Sequence, residues 1–238
     1  MNLNKHLHWI LYCIFVFSCA KISQPTGGPK DTIPPILISS VPRIEQTEYT
    51  GKTIELTFNE IITVNNPKEQ LIITPAIGKD FKVEARQTKV LVILEKPLQD
   101  STTYAFNFRD AVRDVTENNP VRNLRIPFST GSHIDSMTVE GTVLSMMSQK
   151  QLKDVTVAIQ PYSDTFSIIR HQATYFTKSD EKGVFKLDNL KPGLYKLYAI
   201  SDQNRNLIVD SKNEAYAFKK DSILLTEDLS NIQLDLIN

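Results

Sequence analysis

Residues 53–58 read Thr-Ile-Glu-Leu-Thr-Phe, and this hexapeptide decides the fold class. In an extended chain Ile54, Leu56 and Phe58 project to one side and Thr53, Glu55 and Thr57 to the other. That is the period-two pattern of a half-buried β-strand. Apolar and β-branched runs recur around it at intervals of about ten residues: Ile36–Val41, Gln70–Thr74, Phe81–Ala85, Val90–Leu94, Tyr104–Phe108 and Arg125–Ser129. Turn signals separate them, at Asn65-Asn66-Pro67, Ile77-Gly78-Lys79, Leu98-Gln99-Asp100-Ser101 and Glu117-Asn118-Asn119-Pro120. About seven short strands at this spacing predict a β-sandwich.

A second series follows: Thr138–Val143, Val155–Ile159, Ala173–Thr177, Val184–Leu187, Leu194–Ile200 and Ile232–Leu236. No long helical pattern interrupts it, and residues 145–152 fit either a turn of helix or a loop. The break between the series falls at residues 130–135, which leaves two parts of about a hundred residues each, an ordinary domain size. The expected fold class is all-β, with two β-sandwich domains in tandem.

Composition narrows the function. The chain has 238 residues, 41% hydrophobic and 23% charged, which is globular rather than disordered. Its 27 Lys and Arg balance 27 Asp and Glu, so it lacks the basic excess of a general nucleic-acid binder. The two cysteines, Cys13 and Cys19, sit near the N-terminus beside the single Trp9, and cannot build a disulfide scaffold or a Cys-based zinc site.

The N-terminus reads as an export signal. Lys5 is followed by an unbroken apolar run from Trp9 to Phe17, far short of the roughly 20 residues that cross a bilayer as a helix. Val16-Phe17-Ser18-Cys19 resembles a bacterial lipobox, and an A-x-A cleavage pattern is missing. The resemblance implies a signal peptide over residues 1–18, a diacylglycerol on the Cys19 thiol and a further acyl chain of the palmitate type on its freed amine. Several chains anchor a protein stably where one is marginal. Residues 19–32 read as a tether, flexible around Gly27-Gly28, with Pro34-Pro35 stiffening the chain just beyond.

Residues 33–131 resemble the bacterial Ig-like domain of S-layer type. The resemblance is carried by Asp31-Thr32-Ile33-Pro34-Pro35, Ile38-Ser39-Ser40-Val41-Pro42, the run Ile54–Glu60, Pro97-Leu98, Ser101-Thr102-Thr103-Tyr104 and Phe128-Ser129-Thr130-Gly131, in that order. Together with the segment Pro25–Asp31 after the lipobox, the match is to Gram-negative Ig-like lipoproteins. This implies an exported protein, lipid-anchored in the cell envelope at the outer membrane.

Residues 136–238 resemble a carboxypeptidase regulatory-like domain, a transthyretin-like β-sandwich. The carrying stretches are Val139-Glu140-Gly141-Thr142-Val143, Leu152–Val157, Thr177–Phe185 and Leu187–Tyr195. Asp180–Gly183 reads as a hairpin turn with Gly183 at positive φ, and Pro192-Gly193 as a turn feeding the alternating strand Tyr195–Ala199. Phe185, Leu187 and Leu190 are expected in the core. The resemblance implies a binding or spacer module without peptidase activity.

Catalytic patterns are sparse. Beyond the signal segment only His133 and His171 remain, short of the three or four ligands of a His-based zinc site, and both are expected on the surface. The chain has no G-x-S-x-G elbow, H-E-x-x-H, P-loop or G-x-G-x-x-G pattern. Asp110, Asp114 and Glu117 with Asn118 and Asn119 read as a solvated loop. Tyr162, Phe166, Tyr175 and Phe176 offer aromatic surface, most of it expected in the core.

One constellation points to a cation. Asp202, Asn204 and Asn206 alternate, and Asp210 follows, as at the start of a calcium loop with side-chain oxygens at positions 1, 3 and 5. The other reading is an Asp/Asn-rich hairpin that satisfies its own backbone through Asx-turns. Leu207 stands where an EF-hand needs Gly, and no acid falls at position 12, which favours the hairpin.

The expected function is therefore a non-catalytic, membrane-anchored envelope lipoprotein that binds or spaces a protein or glycan partner and does not bind nucleic acid. The alternatives are a substrate-capturing or weakly hydrolytic component of a polysaccharide- or protein-processing system, and a structural subunit of an envelope assembly.

Overall fold

The computed structural model describes residues 28–237. The signal segment, Cys19 and the tether as far as residue 27 lie outside them.

The first strands are β1 (Leu37–Val41), β2 (Thr53–Phe58), β3 (Ile62–Val64), β4 (Ile72–Thr74), β5 (Phe81–Arg86), β6 (Lys89–Leu94), β7 (Thr103–Arg109), β8 (Val112–Asp114) and β9 (Leu124–Ser129). A four-stranded sheet in the order β1-β2-β6-β5 faces a three-stranded sheet in the order β4-β7-β9, and β3 pairs with β8 as a short ribbon. The pattern of residues 53–58 is realised directly: Ile54, Leu56 and Phe58 are buried while Thr53, Glu55 and Thr57 are half-buried. Val90, Val92 and Leu94 of β6 join them in the core, opposed by Tyr104, Phe106 and Phe108 of β7. Phe128 sits at the middle, edge-on to Tyr49 with ring centroids 5.2 Å apart and tilted against Phe106 at 5.5 Å. Such pairs add to plain burial.

The one helix among the described residues is the single turn α1 (Pro67–Gln70), started by Pro67 at its first position and ended where Leu71 turns extended.

The second set comprises β10 (Met137–Ser145), β11 (Thr156–Pro161), β12 (Tyr175–Lys178), β13 (Val184–Leu190), β14 (Gly193–Ile200), β15 (Tyr216–Phe218), β16 (Ile223–Leu225) and β17 (Leu229–Leu236). One sheet runs β13-β10-β17 and the other β12-β11-β14-β15, with β16 also on β14. Their shared core includes Val139, Val157, Phe185, Leu187, Leu190, Leu197 and Leu234, so the three residues expected inside are inside. Residues 145–152 form a loop closed by a bond from Gln149 N to Ser145 O. β10 and β17 run parallel, with a shift of register before the pair Gly141–Ile232. A Cβ on Gly141 would collide with the carbonyl of Ile232, so close backbone approach explains this glycine.

Gly183 has φ of +69°, as the turn required. The turn differs from a hairpin, however. It joins β12 to β13, which belong to different sheets, so it is a crossing from one layer to the other. Its Asp180 carboxylate accepts the backbone N–H groups of Lys182 and Val184, both at 2.8 Å.

The structure is thus nearly all-β, with two hydrophobic cores that share no residue. Residues Thr32–Asn238 nevertheless form one compact unit. β7 shows why. Its Tyr104, Phe106 and Phe108 fill the first core, yet Thr103 and Ala105 on the opposite face are also buried. Ala105 and Asn107 line a cavity together with Tyr175 and Phe176 of β12 and Asp188 of β13. The second sandwich covers that face.

Candidate functional site

Two features of the second sandwich's surroundings carry polar chemistry: the joint to the first sandwich and the loop after β14.

At the joint, Arg109 at the end of β7 donates to Asp154 at 2.9 Å. Arg125 of β9 lies 3.6 Å from Asp188 of β13 and also donates to the Asn189 side chain. Asn189 in turn donates to the carbonyl of Asp135 at 2.7 Å, pinning the segment between the sandwiches. Backbone joins backbone from Ala76 N to Thr174 O at 2.6 Å, and Lys191 caps the Ser101 carbonyl at 3.0 Å. The hydrogen bond from Arg109 holds the Asp154 carboxyl below its ordinary value, against the opposing effect of burial. Burial also pulls Lys178 down, and the nearby Arg109 charge adds to that.

The loop leaves β14 at Ile200 and returns at Tyr216, which pairs with Ile200 in register. A bond from Ser201 N to Ala215 O closes its base. Asp202 is buried at 8% exposure and accepts the N–H of Asn206 at 3.0 Å and of Leu207 at 3.1 Å. The Asn204 and Asn206 amide oxygens accept from Asn206 N and Ile208 N, and their NH2 groups donate to the two oxygens of Asp210 at 3.0 and 2.6 Å. All four residues expected to act together are thus brought together. Leu207, in the glycine position, has φ of +61° and takes the left-handed conformation itself.

Sequence reasoning missed Glu214. It is only 5% exposed, and its Oε2 accepts from Asp210 N at 3.1 Å and Ser211 N at 3.3 Å. Its Oε1 is buried without a hydrogen-bond partner. The signal was an acid one step beyond position 12, offset from the EF-hand register and so passed over. Burial raises the Asp202 carboxyl above its ordinary value; the Leu207 and Asn206 N–H groups oppose this, and the charge of Glu214 reinforces it.

Arg205 projects from the same loop to Glu69 of α1, at 2.5 Å, so the loop also touches the first sandwich. Among the described residues, no group of three or more His, Cys, Asp or Glu side chains is placed to hold a metal ion.

The remaining expected residues are spread out. His133 is exposed and 3.5 Å from Asp135, and His171 is exposed beside Phe166. Asp114 departs from its solvated-loop reading. It is 2% exposed and accepts the N–H groups of Glu117, Asn118 and Asn119 at 2.6, 2.8 and 3.0 Å. Burial raises its carboxyl, but these three donors outweigh that and hold it below its ordinary value. Of the four aromatic residues Tyr175 is buried, Phe166 and Phe176 are half-buried and Tyr162 is exposed. Tyr216 and Phe218, stacked with centroids 6.4 Å apart, form an exposed aromatic pair that the sequence reading did not single out.

Residues 31–130 match the family model of the bacterial Ig-like domain. The Ig-like stretch takes in β1 to β9, the whole of the first core. Among solved structures the chain is similar to BcpA, the major pilin subunit of Bacillus cereus, at 12% identity and a TM-score of 0.27, covering 84% of this chain and 70% of that one. It is similar to the N-terminal part of the bacterial S-layer protein SbsC at 13% identity and a TM-score of 0.30, covering 84% of this chain and 45% of that one. A similarity to the L,D-transpeptidase from Mycobacterium smegmatis has 9% identity and a TM-score of 0.30, covering 85% and 90% of the two chains. No curated protein matches the chain.

Proposed function

We propose that the chain is a non-catalytic envelope lipoprotein, anchored by acyl chains on Cys19, whose two sandwiches act as one binding or spacer module. The observation that carries this reading is the joint. Arg109–Asp154, Arg125–Asp188 and Arg205–Glu69 cross between an Ig-like sandwich and its neighbour, and a module that positions a partner has to keep its parts in fixed register. Support for the anchor comes from the lipobox-like Val16–Cys19 and the tether that leads into the Ig-like stretch. The second sandwich is read as transthyretin-like on the Gly183 turn and the Pro192-Gly193 entry to β14. Its partner on this reading is an envelope protein or glycan, and its location the outer membrane of a Gram-negative bacterium.

Cross-linking in intact cells, followed by purification of the full-length chain in detergent, tests the module. The expected result is a reproducible envelope partner and no turnover across panels of glycan and peptide substrates. Turnover of any of these would move the reading to the processing alternative.

A further inference from the structure

Between the two sandwiches lies a cleft of about 100 Å³, floored by the outer face of the second. Its floor follows from the strand registers. Thr156 of β11 pairs with Lys178 of β12 on one side and with Ile200 of β14 on the other. Val155, Val157 and Ile159 fill the second core, so Thr156 turns the other way, and Lys178 and Ile200 stand beside it on that outer face. Asp202, two residues past Ile200, lines the same cleft. Leu71 and Ile77 of the first sandwich and Phe176 of the second supply its apolar wall.

Three polar groups here lack the partners that burial calls for. Thr156 is 1% exposed, and its hydroxyl oxygen has no hydrogen-bond partner. A buried hydroxyl left unpaired is costly unless something in the cleft answers it. Lys178 is half-buried and Asp202 is 8% exposed. The Asp202 carboxylate accepts two backbone N–H groups and has about four acceptor sites. Among the described residues neither Lys178 nor Asp202 forms an ion pair, with the other or with any other side chain. Two opposite charges that line one cleft without closing on each other leave a gap, and a ligand that carries both charges fills it.

We propose that this cleft binds a small apolar α-amino acid, with its carboxylate on Lys178 and the Thr156 hydroxyl, its ammonium on Asp202 and its side chain against Leu71, Ile77 and Phe176. The size fits such a ligand. The cleft exceeds three times a water's share of the liquid, about 30 Å³, and falls well short of the roughly 300 Å³ at which drug-sized pockets begin. The Arg205–Glu69 pair also lines the cleft, so the ligand sits where the sandwiches are tied and its binding stiffens the joint. This inference does not rest on the acyl anchor or on the macromolecular partner.

Titration calorimetry of the full-length chain in detergent is the test. The probes are glycine, L-alanine and L-valine, with propionate and propylamine as compounds that carry one charge each. At least one amino acid should bind with a Kd of about 1 mM or tighter, and the single-charge compounds about tenfold more weakly or worse. Lys178→Met keeps an apolar stem and loses the ammonium, and affinity should fall about tenfold or more. Lys178 is half-buried, so this variant folds and decides the matter even where Asp202→Asn does not. Thr156→Val removes the unpaired hydroxyl, so its melting temperature should hold or rise while affinity falls several-fold. A threonine with a purely structural role would instead lose stability and keep affinity. No binding of any of the three amino acids up to about 10 mM overturns the proposal. Propionate binding as tightly as the amino acids also overturns it, as does an affinity unchanged in Lys178→Met.

Discussion

Arg125 Nη2 lies 3.6 Å from Asp188 Oδ2, so a residue of β9 in the first sandwich is ion-paired to a residue of β13 in the second. Both side chains are about a quarter exposed, which shields the pair from much of the solvent screening that makes surface ion pairs weak. Burial pulls the Arg125 guanidinium down and Asp188 opposes that. Lys186 also reaches Asp188, at 3.1 Å, so removal of Arg125 does not leave the carboxylate wholly unpaired. Arg125→Ala should therefore destabilise by about 1–2 kcal/mol. Arg125→Lys should recover only part of this, since an ammonium is more strongly hydrated than a guanidinium and costs more to hold in this part-buried position. Chemical denaturation of the two variants measures both quantities.

That joint was not legible in the sequence. Arg109 and Asp154 are 45 residues apart and Arg125 and Asn189 are 64 apart, and each reads alone as an ordinary charged or polar residue. The strands were legible where side chains alternate over five or six residues, as in residues 53–58. Of the five three-residue strands only β4 fell within a named apolar run; β3, β8, β15 and β16 were not legible, because so short a run shows no period. In the loop after β14 the alternating Asp202, Asn204 and Asn206 were visible as a set. Glu214 was not, because its part depends on the chain folding back to present its carboxylate to Asp210 N.

Asp114 should be a main determinant of acid stability in the first sandwich. Its folded carboxyl is held below the ordinary 3.8, so its contribution is complete above that value and is lost as the pH falls through the folded pKa. Asp114→Ala should cost about 2–3 kcal/mol at neutral pH, from three backbone donors left without their anion. The difference between wild type and variant should shrink as the pH falls from about 5 to about 2. Denaturant titrations over that range measure it.

Gly141→Ala should disrupt the parallel pairing of β10 with β17. The new Cβ would meet a backbone carbonyl, that of Ile232, rather than a side chain that can swing away. A loss of about 3 kcal/mol or more is expected, above the usual cost of overpacking. Hydrogen exchange should show the damage in residues 229–236, with β1 and β2 of the first sandwich kept protected.

Truncating Phe128 addresses the first core alone. Phe128→Ala removes the ring that Tyr49, Tyr104 and Phe106 all touch, and should cost about 3–5 kcal/mol. A smaller effect on the second core, read from hydrogen exchange of β11 and β14, is the expected mark of two hydrophobic cores that share no residue.

Labelling of cells with an alkyne-bearing fatty acid tests the anchored module most directly. The full-length protein should take up label and fractionate with the outer membrane, while Cys19→Ala should be exported or retained without label. Label that persists in Cys19→Ala, or a wild-type protein that carries none, would contradict the acyl anchor and with it the reading of the chain as a tethered envelope module.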